Sequence, residues 1–180
     1  FIERFGLYLI DKGYKLAVLS IDPSSSLFHG SILGDKTRMQ RLSQEKNAFI
    51  RPSPSASTLG GISHGTGLAM ELCEAAGYDF IIVETVGVGQ NETALRSLVD
   101  FFLLLKVPYT GDELQGIKRG ILEISDAIAI NKIDQIDSTA CKIAKSTFES
   151  SLHILPNRVD FWNPPVLLSS GLKGVGLEDI

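Results

Sequence analysis

Cysteine is scarce in this sequence. The 180 residues hold two, Cys73 and Cys141, which cannot build a disulfide framework and fit a reducing compartment such as bacterial cytoplasm or mitochondrial matrix. Histidine is nearly as rare: His29, His64 and His153 are scattered away from any cysteine cluster, so no zinc site is expected. The longest unbroken apolar run, Phe101–Leu105, falls far short of the roughly 20 residues that a bilayer-spanning helix needs, so no membrane is expected as a partner. No block of Lys or Arg interrupts a balance of 17 basic against 21 acidic residues, net charge −4, and no nucleic acid is expected either. Disorder is excluded as well, because 44% hydrophobic and 21% charged residues are the proportions of a chain that buries a core.

What is present is a regular alternation. Phe1, Phe5 and Leu9 recur at helical spacing, with Gly13 as a stop, so a helix is expected over Phe1–Lys12. Apolar, β-branched runs at Lys15–Ile21, Ala48–Arg51, Phe80–Thr85, Phe101–Val107, Ala127–Ile130 and Val166–Ser169 read as strands. A helical turn is expected from Asp35 through Leu42, and a Ser/Pro/Gly-rich loop from Pro52 to Gly61. Further helices are expected over Leu68–Ala76, closed by Gly77 in the left-handed conformation, and over Glu92–Asp100, Asp112–Ser125 and Ser138–Leu155. Strands apolar on both faces and separated by helices indicate an α/β fold, a doubly wound, mainly parallel sheet with helices on both sides. The first helix has no capping residue before it, and Gly176–Ile180 enters a helix that does not finish. Bare helix ends leave backbone groups unpaired, so the chain reads as an internal piece of a longer one.

Ligands of such folds bind beyond the carboxyl ends of the strands, and the residues there are informative. Asn131-Lys132-Ile133-Asp134 follows the strand Ala127–Ile130 directly. A carboxylate at Asp134 can accept two parallel hydrogen bonds from guanine, from N1–H and the 2-amino group, which adenine does not offer. Asn131 would tie neighbouring loops together and the Lys132 stem would cover the base; the bland alternative is a solvated turn. After the next strand, backbone N–H groups of Ser169-Ser170-Gly171 could meet the guanine 6-oxo group, although Ser-Gly is often only a turn. Asp22 and Glu84 each end a strand and could face one Mg²⁺. Asp22 before Pro23 is equally a turn-capping residue, whereas Glu84 inside an apolar strand is costly to bury without a partner. Gly87-Val88-Gly89-Gln90 follows, a turn whose amides could approach a γ-phosphate. Asp35 in Gly34–Arg38 could add a further metal-side carboxylate, or simply cap a helix. For Phe161 and Trp162 packing is the simpler reading, for the histidines a surface or satisfied core position, and for the cysteines no chemical role. The phosphate-cradling string G-x-x-x-x-G-K-[ST] does not occur in these residues.

Several long motifs stand together: Asp22-Pro23-Ser24-Ser25, Gly30–Met39 (GSILGDKTRM), Phe49–Pro54 (FIRPSP), Thr58–Gly61, Cys73–Asp79 (CEAAGYD), Val83–Gln90 (VETVGVGQ) and Gly111–Lys118 (GDELQGIK). With them the sequence resembles the MeaB/ArgK/MMAA GTPases over nearly its whole length. The resemblance implies a P-loop-type GTPase domain, here a single domain over residues 1–180 without its first strand, phosphate loop and C-terminal dimerisation helices. It implies a GTP-hydrolysing chaperone of adenosylcobalamin-dependent methylmalonyl-CoA mutase, or a related acyl-CoA mutase, that is a homodimer at full length. By position, Asp22, Asp35 and Glu84 match Mg²⁺-side carboxylates, with Glu84, Asp35 and Gln90 the catalytic candidates. Gly87, Gly89 and Gln90 match a second switch, and Asp112–Lys118 a further coupling segment. Asn131, Lys132 and Asp134, with Ser169, Ser170 and Gly171, match the guanine site for GTP or GDP. Three alternatives stay open: an ATP-using kinase of an arginine/ornithine transport system, a metal-delivery GTPase, and a nucleotide-gated module without turnover.

Overall fold

The computed structural model describes residues 1–22, 38–54, 61–85, 92–108, 119–155 and 161–180, with side chains left aside at 22, 52–54 and 61–64. Its order is α1 (Ile2–Asp11), β1 (Leu16–Asp22), a 3₁₀ turn (Leu42–Gln44), β2 (Ala48–Pro54), α2 (Gly61–Ala75), β3 (Phe80–Thr85), α3 (Glu92–Arg96), β4 (Leu103–Lys106), α4 (Arg119–Ile124), β5 (Ala127–Ile130), α5 (Ser138–His153) and β6 (Val166–Leu168). The chain divides into two compact units between Leu98 and Val99, Phe1 counting with the second. Each unit carries a three-stranded parallel sheet, β2-β1-β3 in the first and β4-β5-β6 in the second. The α/β class with parallel strands and intervening helices is therefore as the apolar pattern requires.

In the first unit β1 is the middle strand, and Leu16, Ala17, Val18 and Leu19 are all fully buried. Leu16 and Val18 face α1, Met39 and Leu42, whereas Ala17 and Leu19 face Ala69, Met70 and Cys73 of α2. Helices thus cover both faces, which is why this strand is apolar at every position up to Ser20. Each Leu or Val so buried contributes about 1.5–3 kcal/mol relative to exposure. Helix α1 ends where expected: Gly13 takes φ +93, and Tyr14 N–H donates to the Leu9 carbonyl at 3.2 Å. Gly77 (φ +77) closes α2 in the same way, with Tyr78 N–H on the Cys73 carbonyl at 3.1 Å.

Several boundaries differ from the sequence pattern: α3 stops at Arg96 rather than Asp100, β4 is Leu103–Lys106 rather than Phe101–Val107, and the helical stretch expected through Leu42 is a 3₁₀ turn at Leu42–Gln44. β2 runs on through Pro52 and Pro54, where a loop was expected, because Ser20–Asp22 of β1 continue the pairing. Among the described residues β2 lies at an edge of its sheet, the place where strands tolerate proline. Helix α2 starts at Gly61 rather than Leu68 and passes through Gly65 and Gly67, although each glycine costs roughly 1 kcal/mol there. Tertiary contact outweighs that cost: Thr66, between the two glycines, is buried to 4% exposure.

In the second unit Ile128 and Ile130 of β5 pack with Leu104, Val166, Ile121 and Leu122 of α4, and Ala144 and Phe148 of α5. Helix α5 is capped by Asp137, whose carboxylate accepts from Thr139 N–H at 2.8 Å and Ala140 N–H at 3.3 Å. Trp162 donates its indole N–H to the Asp126 carbonyl at 2.9 Å and stands edge-on to Phe101. Phe161 is 89% exposed and so is not a packing residue, contrary to the simpler reading of the sequence.

Candidate functional site

In the second unit, β5 and β6 are neighbours in a parallel sheet, so Asn131–Asp134 and Ser169–Gly171 emerge side by side at their carboxyl ends. The chain turns sharply off β5 at Lys132, which has φ +64, a left-handed conformation unusual for a residue with a side chain. That reversal lets Ile133 N–H reach the Ser169 carbonyl at 3.3 Å and brings Asp134 back over the β6 end. Ser170 donates its hydroxyl to Asp134 Oδ1 at 2.5 Å and accepts from Lys173 N–H at 3.0 Å. Gly171 N–H donates to Asn131 Oδ1 at 2.8 Å. Ser169 and Ser170 are fully buried, while Lys132 is exposed and Asn131, Asp134 and Gly171 are half-buried.

The second loop is itself held shut. Ser170 pairs with Val175 as an isolated antiparallel bridge, and Gly174 N–H donates to the Ser170 carbonyl at 2.8 Å. Gly174 and Gly176 both have positive φ, and a Cβ on Gly176 would run into the Leu168 carbonyl oxygen. Asp134 Oδ2 takes no hydrogen bond from any described residue, and Oδ1 keeps a second lone pair beside Ser170. The carboxylate is therefore oriented and still able to accept a pair of parallel N–H donors.

In the first unit, Glu84 of β3 is the register partner of Ser20 in β1. Its Oε2 accepts the Ser20 hydroxyl at 2.7 Å, and its Oε1 lies 4.0 Å from Arg38 Nη1. Asp22 is the last residue of the adjacent strand, two positions beyond Ser20, with Pro54 as its partner. Asp35, Gly87, Gly89 and Gln90 lie outside the described residues, as does the segment Asp112–Lys118. Among the described residues no three His, Cys, Asp or Glu side chains gather into a metal cage.

The structure thus brings together Asn131, Asp134, Ser170 and Gly171 in one unit, and Glu84 with Asp22's strand end in the other. Ser20 was not singled out by the sequence. A signal for it exists, because the alternation Leu16-Val18-Ser20 puts a lone hydroxyl on an apolar face beside the strand that carries Glu84.

Comparison with known proteins decides the family. The family model described as methylmalonyl Co-A mutase-associated GTPase MeaB matches residues 1–180. The chain belongs to the MeaB GTPase family. GTPase ArgK of Escherichia coli is 52% identical over 180 residues, the whole of this chain and 54% of that protein. The mouse mitochondrial methylmalonic aciduria type A homolog is 48% identical over 180 residues, covering 100% of this chain and 43% of its own length. This MeaB-family chain accordingly spans about half the length of those relatives. A crystal structure of a protein named LAO/AO transport system kinase superposes over 99% of the chain and 50% of its own, with TM-score 0.79 and 42% identity.

Proposed function

We propose that the chain is the base-reading and metal-side part of a GTPase that binds guanine nucleotide and hydrolyses GTP. The observation that carries this reading is the cross-tied pair of loops, in which Asn131 holds Gly171 and Ser170 holds Asp134. Asp134 would accept guanine N1–H and the 2-amino group, the Lys132 stem would lie over the ring, and the Ser170–Gly171 turn would sit near the 6-oxo group. A site built this way rejects adenine, because the Asp134 carboxylate would be left desolvated against a ring without the donor pair.

On the phosphate side, Glu84 is a half-buried carboxylate at a strand end, the hard oxygen donor that Mg²⁺ takes. Mg²⁺ commonly uses only one or two carboxylates and fills its shell with phosphate oxygens and water, so Glu84 with Asp22 and Asp35 is a fitting set. When bound, the ion would supply positive charge beside the β- and γ-phosphates. Gly87, Gly89 and Gln90 would form the segment that senses the γ-phosphate, with Gln90 a candidate for orienting the attacking water. The phosphate-cradling string is not among these 180 residues, so activity is to be measured on the full-length protein.

The partner we propose is an adenosylcobalamin-dependent methylmalonyl-CoA mutase or a related acyl-CoA mutase. The GTPase, working as a homodimer, would gate loading of its cofactor and protect or reactivate it. The family's description and the name of the mouse relative support this reading. The name of the superposed protein raises a second one, an ATP-using transport-system kinase, which the Asn131–Asp134 arrangement disfavours.

One experiment separates them. In the full-length protein, fluorescent GDP is titrated with Mg²⁺ and competed with GTP, ATP and XTP. Guanine nucleotides alone should compete, and Asp134→Asn should shift preference toward XTP, whose 2-oxo group needs a donor. Equal competition by ATP, or an unaltered preference in Asp134→Asn, would overturn the guanine assignment. Phosphate release lost in Glu84→Ala would exclude a module that binds without turnover.

A further inference from the structure

The face of the first sheet that packs on α1, Met39 and Leu42 is apolar along most of its length. Leu16 and Val18 of β1, and Ile82 of β3, all contribute to it. The next positions on that face, Ser20 and Glu84, are register partners and the first polar pair toward the carboxyl end. Ser20 is buried to 2% exposure, yet its hydroxyl is satisfied by a single carboxylate oxygen, Glu84 Oε2 at 2.7 Å. An O–H···O⁻ bond of this kind is charge-assisted and stronger than a neutral one.

Glu84 has a second contact, with Arg38 at 4.0 Å, but the Arg38 side chain is 56% exposed. An ion pair at that distance and exposure is screened by water and fixes little geometry. A glutamate has three side-chain torsions, and ordering them costs free energy at the moment of ligand binding unless they are ordered beforehand. The strongest constraint on this carboxylate therefore comes from across the strand pair, from a residue that itself points at nothing else.

We infer that Ser20 is a positioning residue for Glu84: its hydroxyl holds Oε2 in place and thereby prepares the carboxylate for a divalent cation. This rests on the proposed metal-side role of Glu84. Ser20 does not touch the cation. It acts through Glu84, as residues hydrogen-bonded to metal ligands commonly do.

The test uses the full-length protein and reads binding rather than turnover. Fluorescent GDP is bound at increasing Mg²⁺, and the concentration giving half of the metal-dependent tightening is compared between variants. Ser20→Ala should raise that concentration by about tenfold, the usual effect of losing such a partner. Metal-free GDP affinity should stay as in the parent, while the melting temperature falls modestly because a buried, charge-assisted bond is lost. Ser20→Thr, which keeps the hydroxyl, should restore the parent value, and Ser20→Ala added to Glu84→Gln should change nothing further. An unchanged Mg²⁺ requirement in Ser20→Ala, with Glu84→Gln strongly impaired, would overturn the role of Ser20 alone. An unchanged requirement in Glu84→Gln would overturn the metal-side reading of Glu84 and this inference with it. A loss in Ser20→Ala that Ser20→Thr does not restore, or that equally weakens metal-free GDP binding, marks a packing defect and overturns it too.

Discussion

Asn131 Oδ1 accepts the Gly171 backbone N–H at 2.8 Å, joining two loops 40 residues apart in the chain. Each loop leaves a different strand, and a parallel register between β5 and β6 is what brings them alongside. The bond makes Asn131 a brace for the Ser170–Gly171 turn. Cutting it should loosen both loops at once.

Asn131→Ala in the full-length protein should therefore weaken GDP binding by about tenfold, the size of a lost hydrogen bond that leaves a half-buried N–H unpaired. Fluorescent GDP titration reads this directly. An affinity equal to the parent would show that the brace does not organise the site.

Lys132 offers a separation of stability from binding. Its φ of +64 costs a side-chain-bearing residue of the order of 1–2 kcal/mol, and glycine adopts that conformation freely. Lys132→Gly should thus melt no lower than the parent while binding guanine nucleotide more weakly, because the stem that would cover the ring is gone. Parallel thermal melts and GDP titrations would check it, and unchanged affinity would remove Lys132 from the base site.

Gly176 should tolerate no side chain. With φ +66 and the Leu168 carbonyl in the way of a Cβ, Gly176→Ala must displace the turn that returns Val175 to Ser170. The expected result is a lower melting temperature together with weaker GDP binding, since Ser170 carries the hydrogen bond to Asp134. A stable variant with parent affinity would show that this turn does not support the site.

Asp137 links helix α5 to pH. The Thr139 hydroxyl first, then the Thr139 and Ala140 N–H groups, hold its carboxyl below the ordinary 3.8. A depressed carboxyl contributes stability that is complete above its unfolded value and fades as pH falls through the lower folded value. The melting-temperature difference between parent and Asp137→Ala should be full at neutral pH and shrink below about pH 4. Asp137→Asn, which can still cap, should lose less. Melts across that range read the difference, and one that persists unchanged into strong acid would rule out the charged cap.

The two thiols should be inert in the folded protein. Burial pushes Cys73 up, which Arg51 offsets only in part, and burial followed by the Asp137 charge pushes Cys141 up. At pH 8 alkylation of both should be slow until denaturant is added, as followed by mass spectrometry. Fast native labelling of either would contradict its buried position.

The strands, and the chemistry available at their ends, were legible from the amino-acid pattern alone. Leu16–Leu19 and Ala127–Ile130 are apolar at every position, and only a strand covered on both faces needs that. Asn131, Asp134 and Glu84 could be picked out because a carboxylate or amide directly after such a run is costly or purposeful. Tertiary structure decided which of these groups meet. Ser20 and Glu84 are 64 residues apart, and Ser170 and Asp134 are 36 apart. Nothing local in either segment encodes its partner, because pairing depends on the register in which whole strands lie side by side. The same holds for Pro52–Pro54 and Gly65–Gly67, whose local preferences oppose strand and helix. Pairing with β1 carries the prolines on an edge strand, and packing in which Thr66 is buried outweighs a cost of roughly 1 kcal/mol for each of Gly65 and Gly67.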